Sequence, residues 1–382
     1  MRRAVRTTTV ADRQSMYRPA GKGYQWGFPV DFTAWRTHFL DHLAPIYLAL
    51  PDDWRGRFWV RSDPKVKSAP SLDQMCERAL QWGIDPSPCA RVPLGMGPLA
   101  CSAYSDLEVA SRRRRPLILM EHGCGLSFPE HVPGYAGGRG WRGRVGLFLA
   151  PNELTAAKTR ATYPTAPQLI ISTPKLDEWW AKPKRKTRRK KPVVAISFHW
   201  RGERVCPEAG TALDHYKDDL SLLTEEFTVL GHGHPKIARE LVKVYERAGI
   251  EWVPEFDDVL KRADVYLNDA SSTLYEFASL DRPVVVLNAP WFRRTVDYGL
   301  RFWLYSDIGP QVEEPSQLVD AVWEAWEDPP EYKDRRRAAT DALYPIHDGT
   351  AAQQAAEAIV EFCRTRAAQA PPMRRRGWRT AS

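Results

Sequence analysis

The sequence predicts an α/β fold with parallel sheets, arranged as two halves facing a cleft. Three observations carry this expectation. Short apolar runs of strand length alternate with helical stretches along most of the chain. A basic segment at 182–191, KPKRKTRRKK, has no apolar residue and interrupts that alternation. After it the alternation restarts more clearly, as βα units of the doubly wound kind.

Residues 1–23 read as a frayed arm. Residues 33–50 read as a helix that Pro45 kinks or divides. Arg57–Arg61 is a short strand and 71–83 a helix. Leu99–Tyr104, Pro116–Met120, Val145–Leu149 and Gln168–Ser172 are apolar strands, with a helix at 153–161 between the last two. In the second half, Val193–Phe198 and Phe227–Leu230 are strands. Residues 236–248 form a helix with Ile237, Leu241, Val244 and Ala248 on one face. Ile250–Val253, Val265–Leu267 and Pro283–Leu287 are strands, separated by helices at 257–263 and 272–280. Helices at 315–327 and 350–366 end the pattern. The expected organisation is an arm (1–23), a first half (24–181), a basic linker (182–192), a second half (193–348), a closing helix (349–366) and a basic disordered tail (367–382).

Charge narrows the function. The chain has 382 residues and a formal charge of +8, from 55 Lys and Arg against 47 Asp and Glu. Eight of those basic groups lie in 182–191 and six in the stretch from Arg364 to Ser382, and neither stretch holds an acid. The rest has 41 basic against 47 acidic groups, a body near −6. A uniformly basic nucleic-acid-binding domain is therefore not expected. The basic segments read either as solubilising linkers or as a tether to an anionic surface. No run approaches the roughly 20 apolar residues that span a bilayer, and the first residues lack the apolar stretch of a secretory signal. Six cysteines without a CxxC pair indicate a reducing compartment. The expected location is the cytoplasm, with peripheral contact at the inner face of an anionic membrane.

Ligands in open parallel sheets bind beyond the carboxyl ends of the strands, so the loops there carry the functional reading. Asn268-Asp269-Ala270-Ser271-Ser272-Thr273-Leu274-Tyr275-Glu276 follows a strand and opens a helix. Ser271 and Ser272 offer hydroxyls to a phosphate there. Glu276, about 6 Å further along the axis, is placed to accept ribose hydroxyls. The same residues, Asp269 and Ser271 above all, also read as a plain helix cap. Gly231-His232-Gly233-His234-Pro235 joins a strand to a helix, and its histidines suit phosphate binding or proton transfer. Glu121-His122-Gly123-Cys124-Gly125 turns out of a strand in the first half, which makes His122 a base candidate. The loop 133–144 that follows holds five glycines and three arginines, Arg139 among them, and suits an anionic ligand or a plain surface loop. Phe198-His199-Trp200-Arg201-Gly202 is the weakest of the four, with Arg201 able to face a diphosphate. No Walker A, GxGxxG, HExxH or GxSxG pattern occurs. No metal ligands and no cofactor are expected.

Together these loops resemble a family. His-Gly in the first half, His-Pro in the second, Asp-x-Ser-Ser-(x)3-Glu, a strand of RPVVVLNA type and an Asp-Gly before the last helix follow in order. This pattern resembles the CDP-glycerol glycerophosphotransferases, the teichoic-acid polymerase-like family. It is similar, more loosely, to other glycosyltransferases of the GT-B fold, with two Rossmann-like domains, and to UDP-N-acetylglucosamine 2-epimerases. The similarity covers roughly 116–363 and is strongest at 226–288. The resemblance implies a nucleotide-diphosphate donor bound by the second half and an acceptor hydroxyl on a glycan, polyol phosphate or protein. It implies His122 as general base and His234 as the donor-phosphate ligand or acid. Ser271 and Ser272 hold the pyrophosphate and Glu276 the ribose. Asp269, His232, Gly233 and Arg201 line the donor side, and Gly123, Gly125 and Arg139 the acceptor side or its loop. The implied reaction moves a glycosyl or glycerophosphoryl group without a metal. The alternatives are an epimerase of the same fold, or a protein that binds nucleic acid or an anionic surface through its basic segments.

Overall fold

The computed structural model describes residues 29–62, 66, 68–92, 97–102, 115–124, 145–162, 164, 166–182, 190–202, 210–294 and 301–369. Calls on Gly125, Arg139, most of the basic segment and the tail beyond 369 lie outside these residues.

The first part contains β1 (Val30–Ala34), α1 (Thr37–Ala49), β2 (Arg55–Val60), α2 (Leu72–Gln81), β3 (Pro86–Pro88), β4 (Leu99–Cys101), β5 (Leu117–Met120), β6 (Val145–Ala150), α3 (Glu153–Thr162) and β7 (Gln168–Ile170). A crossover follows, with a 3-10 turn at Pro174–Leu176 and the short α4 (Asp177–Trp180). The second part contains β8 (Val193–Phe198), α5 (Leu213–Tyr216), α6 (Ser221–Glu226), β9 (Thr228–Gly233), α7 (Ala238–Arg247), β10 (Glu251–Trp252), α8 (Phe256–Arg262), β11 (Val265–Asn268), α9 (Thr273–Ala278), β12 (Val284–Leu287) and β13 (Gln311–Val312). Three helices close the chain: α10 (Leu318–Glu327), α11 (Pro330–Leu343) and α12 (Ala351–Gln369).

Two sheets result, and every strand pairing in both is parallel. The first runs β3-β2-β1-β4-β5-β6-β7, and the second β10-β9-β8-β11-β12-β13. Counted within each sheet, both share the doubly wound order 3-2-1-4-5-6, with the first sheet adding a seventh strand. The order reverses beside β1 in one sheet and beside β8 in the other, so the loops after β1, β4, β8 and β11 flank the crevices. The central strands are buried along their whole length, as in Leu117–Met120 and Val284–Leu287. Such continuous apolar runs suit strands covered by helices on both faces.

Local chemistry explains the helix starts and stops. Ser71 and Gln74 form a reciprocal capping box at the head of α2, with bonds of 2.9 and 3.1 Å. Asp177 in α4 accepts the backbone N–H groups of Ala351 and Ala352 at 3.2 and 2.7 Å, and so ties the crossover to the start of α12. From there α12 returns to the first sheet, where Ala355, Ala356, Ile359, Val360 and Cys363 join its core.

Several expectations needed correction. The helix expected at 33–50 begins only at Thr37, because Val30–Ala34 forms the fully buried strand at the crevice of the first sheet. Pro45 does not divide α1; buried neighbours Leu43, Ala44 and Ile46 hold the helix through it. The strand expected to end at Leu230 continues to Gly233, which places His232 and Gly233 inside the sheet. α11 is an element the sequence reading did not contain, since its run PEYKDRRRAATDAL is largely charged.

Candidate active site

The carboxyl ends of the two sheets meet at one point. Gly123, after β5, has φ +69° and lies so close to Ser272 that a Cβ there would sit 2.6 Å from the Ser272 hydroxyl. Both the backbone angle and the contact require glycine. Around this contact the loops bring a cluster of histidines together.

His122 lies at the first sheet's end of the cleft. Its ring centre is 5.0 Å from Phe39, 6.0 Å from His38 and 6.2 Å from His42. Its Nδ1 is 3.6 Å from Glu121 Oε1, and 38% of the side chain remains accessible. Crowding by protein lowers the imidazole pKa to about 4, a hydrogen bond with the Ser102 backbone opposes this, and the charges of Lys175 and Lys236 add to the drop. The ring is therefore neutral at pH 7 and free to take a proton.

His234 faces it from the second sheet. Its Nδ1 accepts the Lys236 N–H at 3.1 Å, at the start of the 3-10 turn Pro235–Ile237. That bond requires a lone pair on Nδ1, so neutral His234 carries its proton on Nε2. Burial, with His199, His38, Lys236 and Arg36 adding charge, holds the ring well below the ordinary histidine range. His38 neighbours both candidates, 6.0 Å from His122 and 6.1 Å from His234.

The donor-side residues divide into two groups. Ser271 and Ser272 remain partly accessible at the head of α9. The Ser271 hydroxyl accepts from Thr273 Oγ1 at 3.1 Å and from the Thr273 N–H at 3.5 Å, while the Ser271 N–H donates to Asn268 Oδ1 at 3.1 Å. Ser272 makes no side-chain cap bond. Glu276 is 1% exposed and pairs with Lys175 Nζ at 2.6 Å.

The others hold the scaffold. Asp269 is fully buried and accepts the His199 N–H at 2.8 Å, the Ala212 N–H at 3.0 Å and the Thr211 hydroxyl at 3.1 Å. It locks two loops together and has no face toward a ligand; burial raises its pKa to about 6 against those hydrogen bonds. His232 donates Nδ1–H to the Val253 carbonyl at 2.9 Å and packs on Trp252 and Phe256. Gly231 and Gly233 make room for Tyr245 and Leu241 of α7, which explains them without a ligand. Arg201 is taken by Asp214 and by Glu240, the latter at 2.7 Å. In this structure Asp269, His232, Gly233 and Arg201 are all engaged within the scaffold by hydrogen bonds, packing or ion pairs.

Other cleft residues were not foreseen. His38 and His42 lie one turn apart on α1, each with an Nδ1 that is buried without a hydrogen-bond partner. His199 stacks near His234 and Trp200 at 5.6 and 5.8 Å. Lys236 places its ammonium 3.3 Å over the Trp200 ring. Its pKa falls to about 8, through burial first and the Arg36 charge second. Lys175, Lys236 and Arg36 make the cleft cationic while its histidines stay neutral. Among the described residues no three His, Cys, Asp or Glu side chains converge to hold a metal ion. No described helix is long and apolar enough to cross a membrane.

Residues 172–361 match the family described as CDP-Glycerol:Poly(glycerophosphate) glycerophosphotransferase. Among solved structures, the wall teichoic acid polymerase TagF superposes with a TM-score of 0.56 at 17% identity, over 88% of this chain and 90% of its own. A TagF variant soaked with CDPG gives 0.59 at 16%, over 88% and 89%. The UDP-GlcNAc 2-epimerase of Neisseria meningitidis, bound to UDP-GlcNAc, gives 0.55 at 12%, over 88% and 99%. At these identities the likenesses establish the fold, which is the GT-B arrangement of two Rossmann-like domains. No curated protein matches the chain by sequence. The match over residues 172–361 and the GT-B fold of the whole make the chain a transferase similar to the CDP-glycerol glycerophosphotransferases.

Proposed function

We propose that the protein transfers a glycerophosphoryl or glycosyl group from a nucleotide-diphosphate donor to an acceptor hydroxyl, with His122 as general base and without a metal. The family match favours the glycerophosphoryl group. The observation that carries the mechanism is the convergence of two histidines from opposite sheets, His122 and His234, on a common neighbour, His38. A base from one sheet and a phosphate ligand from the other can act on one reacting centre in the cleft.

In this reading the donor lies against the second sheet. Ser271 and Ser272 donate hydroxyl hydrogen bonds to its phosphates, and His234 donates Nε2–H to the same oxygens. Lys236 and Arg36 supply positive charge in place of a metal. The acceptor oxygen bonds to the transferred group as that group's bond to the nucleotide breaks. The acceptor proton passes to His122, and Glu121, 3.6 Å away, stabilises the imidazolium that forms. The departing phosphate keeps its charge, held by His234 and Lys236.

The test is His122→Asn assayed with CDP-glycerol and, separately, with nucleotide sugars. Turnover should fall about 10²–10⁴-fold, while the thermal shift given by the bound donor persists. Undiminished turnover, or no shift with any nucleotide, would overturn the reading. The basic run ending at Lys191 and the tail add a second element, peripheral contact with an anionic membrane. It requires liposome binding that grows with anionic lipid and weakens with salt.

A further inference from the structure

A cavity of about 530 Å³ lies away from the histidines, at the place where the chain crosses between its two sheets. This is within the range of about 300–1,000 Å³ usual for small-molecule sites. Trp179, Trp180 and Lys182 of the outgoing crossover line one side, and His347 of the returning segment lies nearby. The ends of α8 and α9 and the middle of α11 complete it.

Cations dominate its wall. Lys182, Lys261, Arg282, Arg336 and Arg337 line it, against Asp281 and Asp341. Arg336 is structural: it is 2% exposed and bound to Asp328 at 2.6 Å. Lys182 and Arg337 are held loosely, at 3.7 Å from Glu178 and 3.4 Å from Asp334, and both are more than half exposed. Such pairs give way readily to a competing anion. Lys182 and Arg282 lie 4.6 and 5.9 Å from the centre of the Trp179 ring. That ring is thereby engaged by charge, not left for a stacked nucleobase.

The remaining polar groups accept hydroxyls. His347 donates Nδ1–H to the Tyr344 carbonyl at 2.7 Å, so in its neutral form Nε2 is an acceptor. Asp341 lies 3.6 Å from that nitrogen and is 72% exposed. Cations for a phosphate beside acceptors for hydroxyls describe one ligand chemistry. We propose that this crossover cavity is a second binding site, separate from the histidine cleft, for a phosphorylated polyol or sugar.

The full-length protein is titrated by calorimetry with glycerol phosphate, glucose phosphate, inorganic phosphate and glycerol. Saturable binding is expected for one or both of the organic phosphates. Glycerol should not bind, and inorganic phosphate should bind more weakly. The double variant Lys182→Gln/Arg337→Gln, at exposed positions that do not threaten folding, should weaken binding about tenfold or more. Ser271→Ala/Ser272→Ala in the cleft should leave it unchanged. Three results overturn the proposal. One is no saturable binding of either organic phosphate. Another is inorganic phosphate binding as tightly as both, which reduces the site to an anion patch. The third is binding that survives the double variant but is lost with the serines, which places it in the cleft.

Discussion

Lys175 Nζ lies 2.6 Å from Glu276 Oε2, and the carboxylate it covers is 1% exposed. Lys175 comes from the crossover segment and Glu276 from α9, so the pair bridges the crossover and the second sheet. A ribose reaching Glu276 must displace the ammonium. Removing one partner leaves a buried charge alone, which costs about 3–5 kcal/mol in typical cases. Lys175→Met should therefore lower stability by roughly that amount, read by denaturant unfolding. Lys175→Met/Glu276→Gln should recover most of the loss. A double-mutant cycle that closes without coupling contradicts the pairing.

Gly123 predicts a second effect. Alanine at φ +69° is strained, and its Cβ would lie 2.6 Å from the Ser272 hydroxyl and 3.0 Å from Ser272 Cβ. Gly123→Ala should cost about 1–2 kcal/mol from the left-handed backbone alone. It should also displace Ser272 and weaken donor binding. Adding Ser272→Gly relieves the contact but not the strain, so stability should return only in part. Thermal unfolding with and without CDP-glycerol separates the two components.

The order of strands and their terminal loops was legible because buried parallel strands read as apolar runs and their loops read as glycines beside polar groups. That placed His122, His234, Ser271 and Ser272 correctly at the strand ends. Lys175 was not legible, since nothing local marks a lysine in a crossover as a partner for a glutamate about a hundred residues on. His38 and His42 were hidden for a similar reason. They face His122 only because β1 pairs with β4, which in turn pairs with β5, a non-local fact. β1 was not read as a strand, and its last two residues, Thr33 and Ala34, were assigned to the following helix, because VDFTA is too short to show a period. His232 was legible only in part. It alternates with glycines that read as a ligand loop, whereas those glycines admit helix side chains.

The pH profile of kcat/KM follows from two groups. His122 works as a base only when neutral, and its pKa is lowered to about 4. Lys236 holds the phosphates only when charged, and its pKa is lowered to about 8. The profile should rise through about 4, stay level near neutrality and fall above about 8. Bound phosphate raises both values, so the kcat plateau should lie at higher pH than that of kcat/KM. Lys236→Arg, whose guanidinium does not titrate, should remove the alkaline fall and leave the acid limb in place. An alkaline limb that persists in Lys236→Arg assigns it to another group.

Acid should destabilise the fold through its buried histidines, and His232 gives the cleanest case. It is 9% exposed, and burial lowers its pKa from 6.5 to about 4 against the bond to Val253. Between those values the unfolded chain binds a proton that the native protein refuses. The stability contribution is therefore complete above about 6.5 and is lost as pH falls toward 4. The full difference is on the order of 3 kcal/mol. Asp177 and Asp269, both raised to about 6, act in the opposite direction across part of the window, so the whole-protein curve mixes signs. A comparison of variants isolates the histidine. His232→Gln keeps an N–H for the Val253 carbonyl but cannot titrate. It should be less stable than the parent at pH 7, and the gap should shrink by about 3 kcal/mol as pH approaches 4. Denaturant unfolding at several pH values measures this directly. Parallel stability curves for the two proteins would show that His232 does not control the acid response.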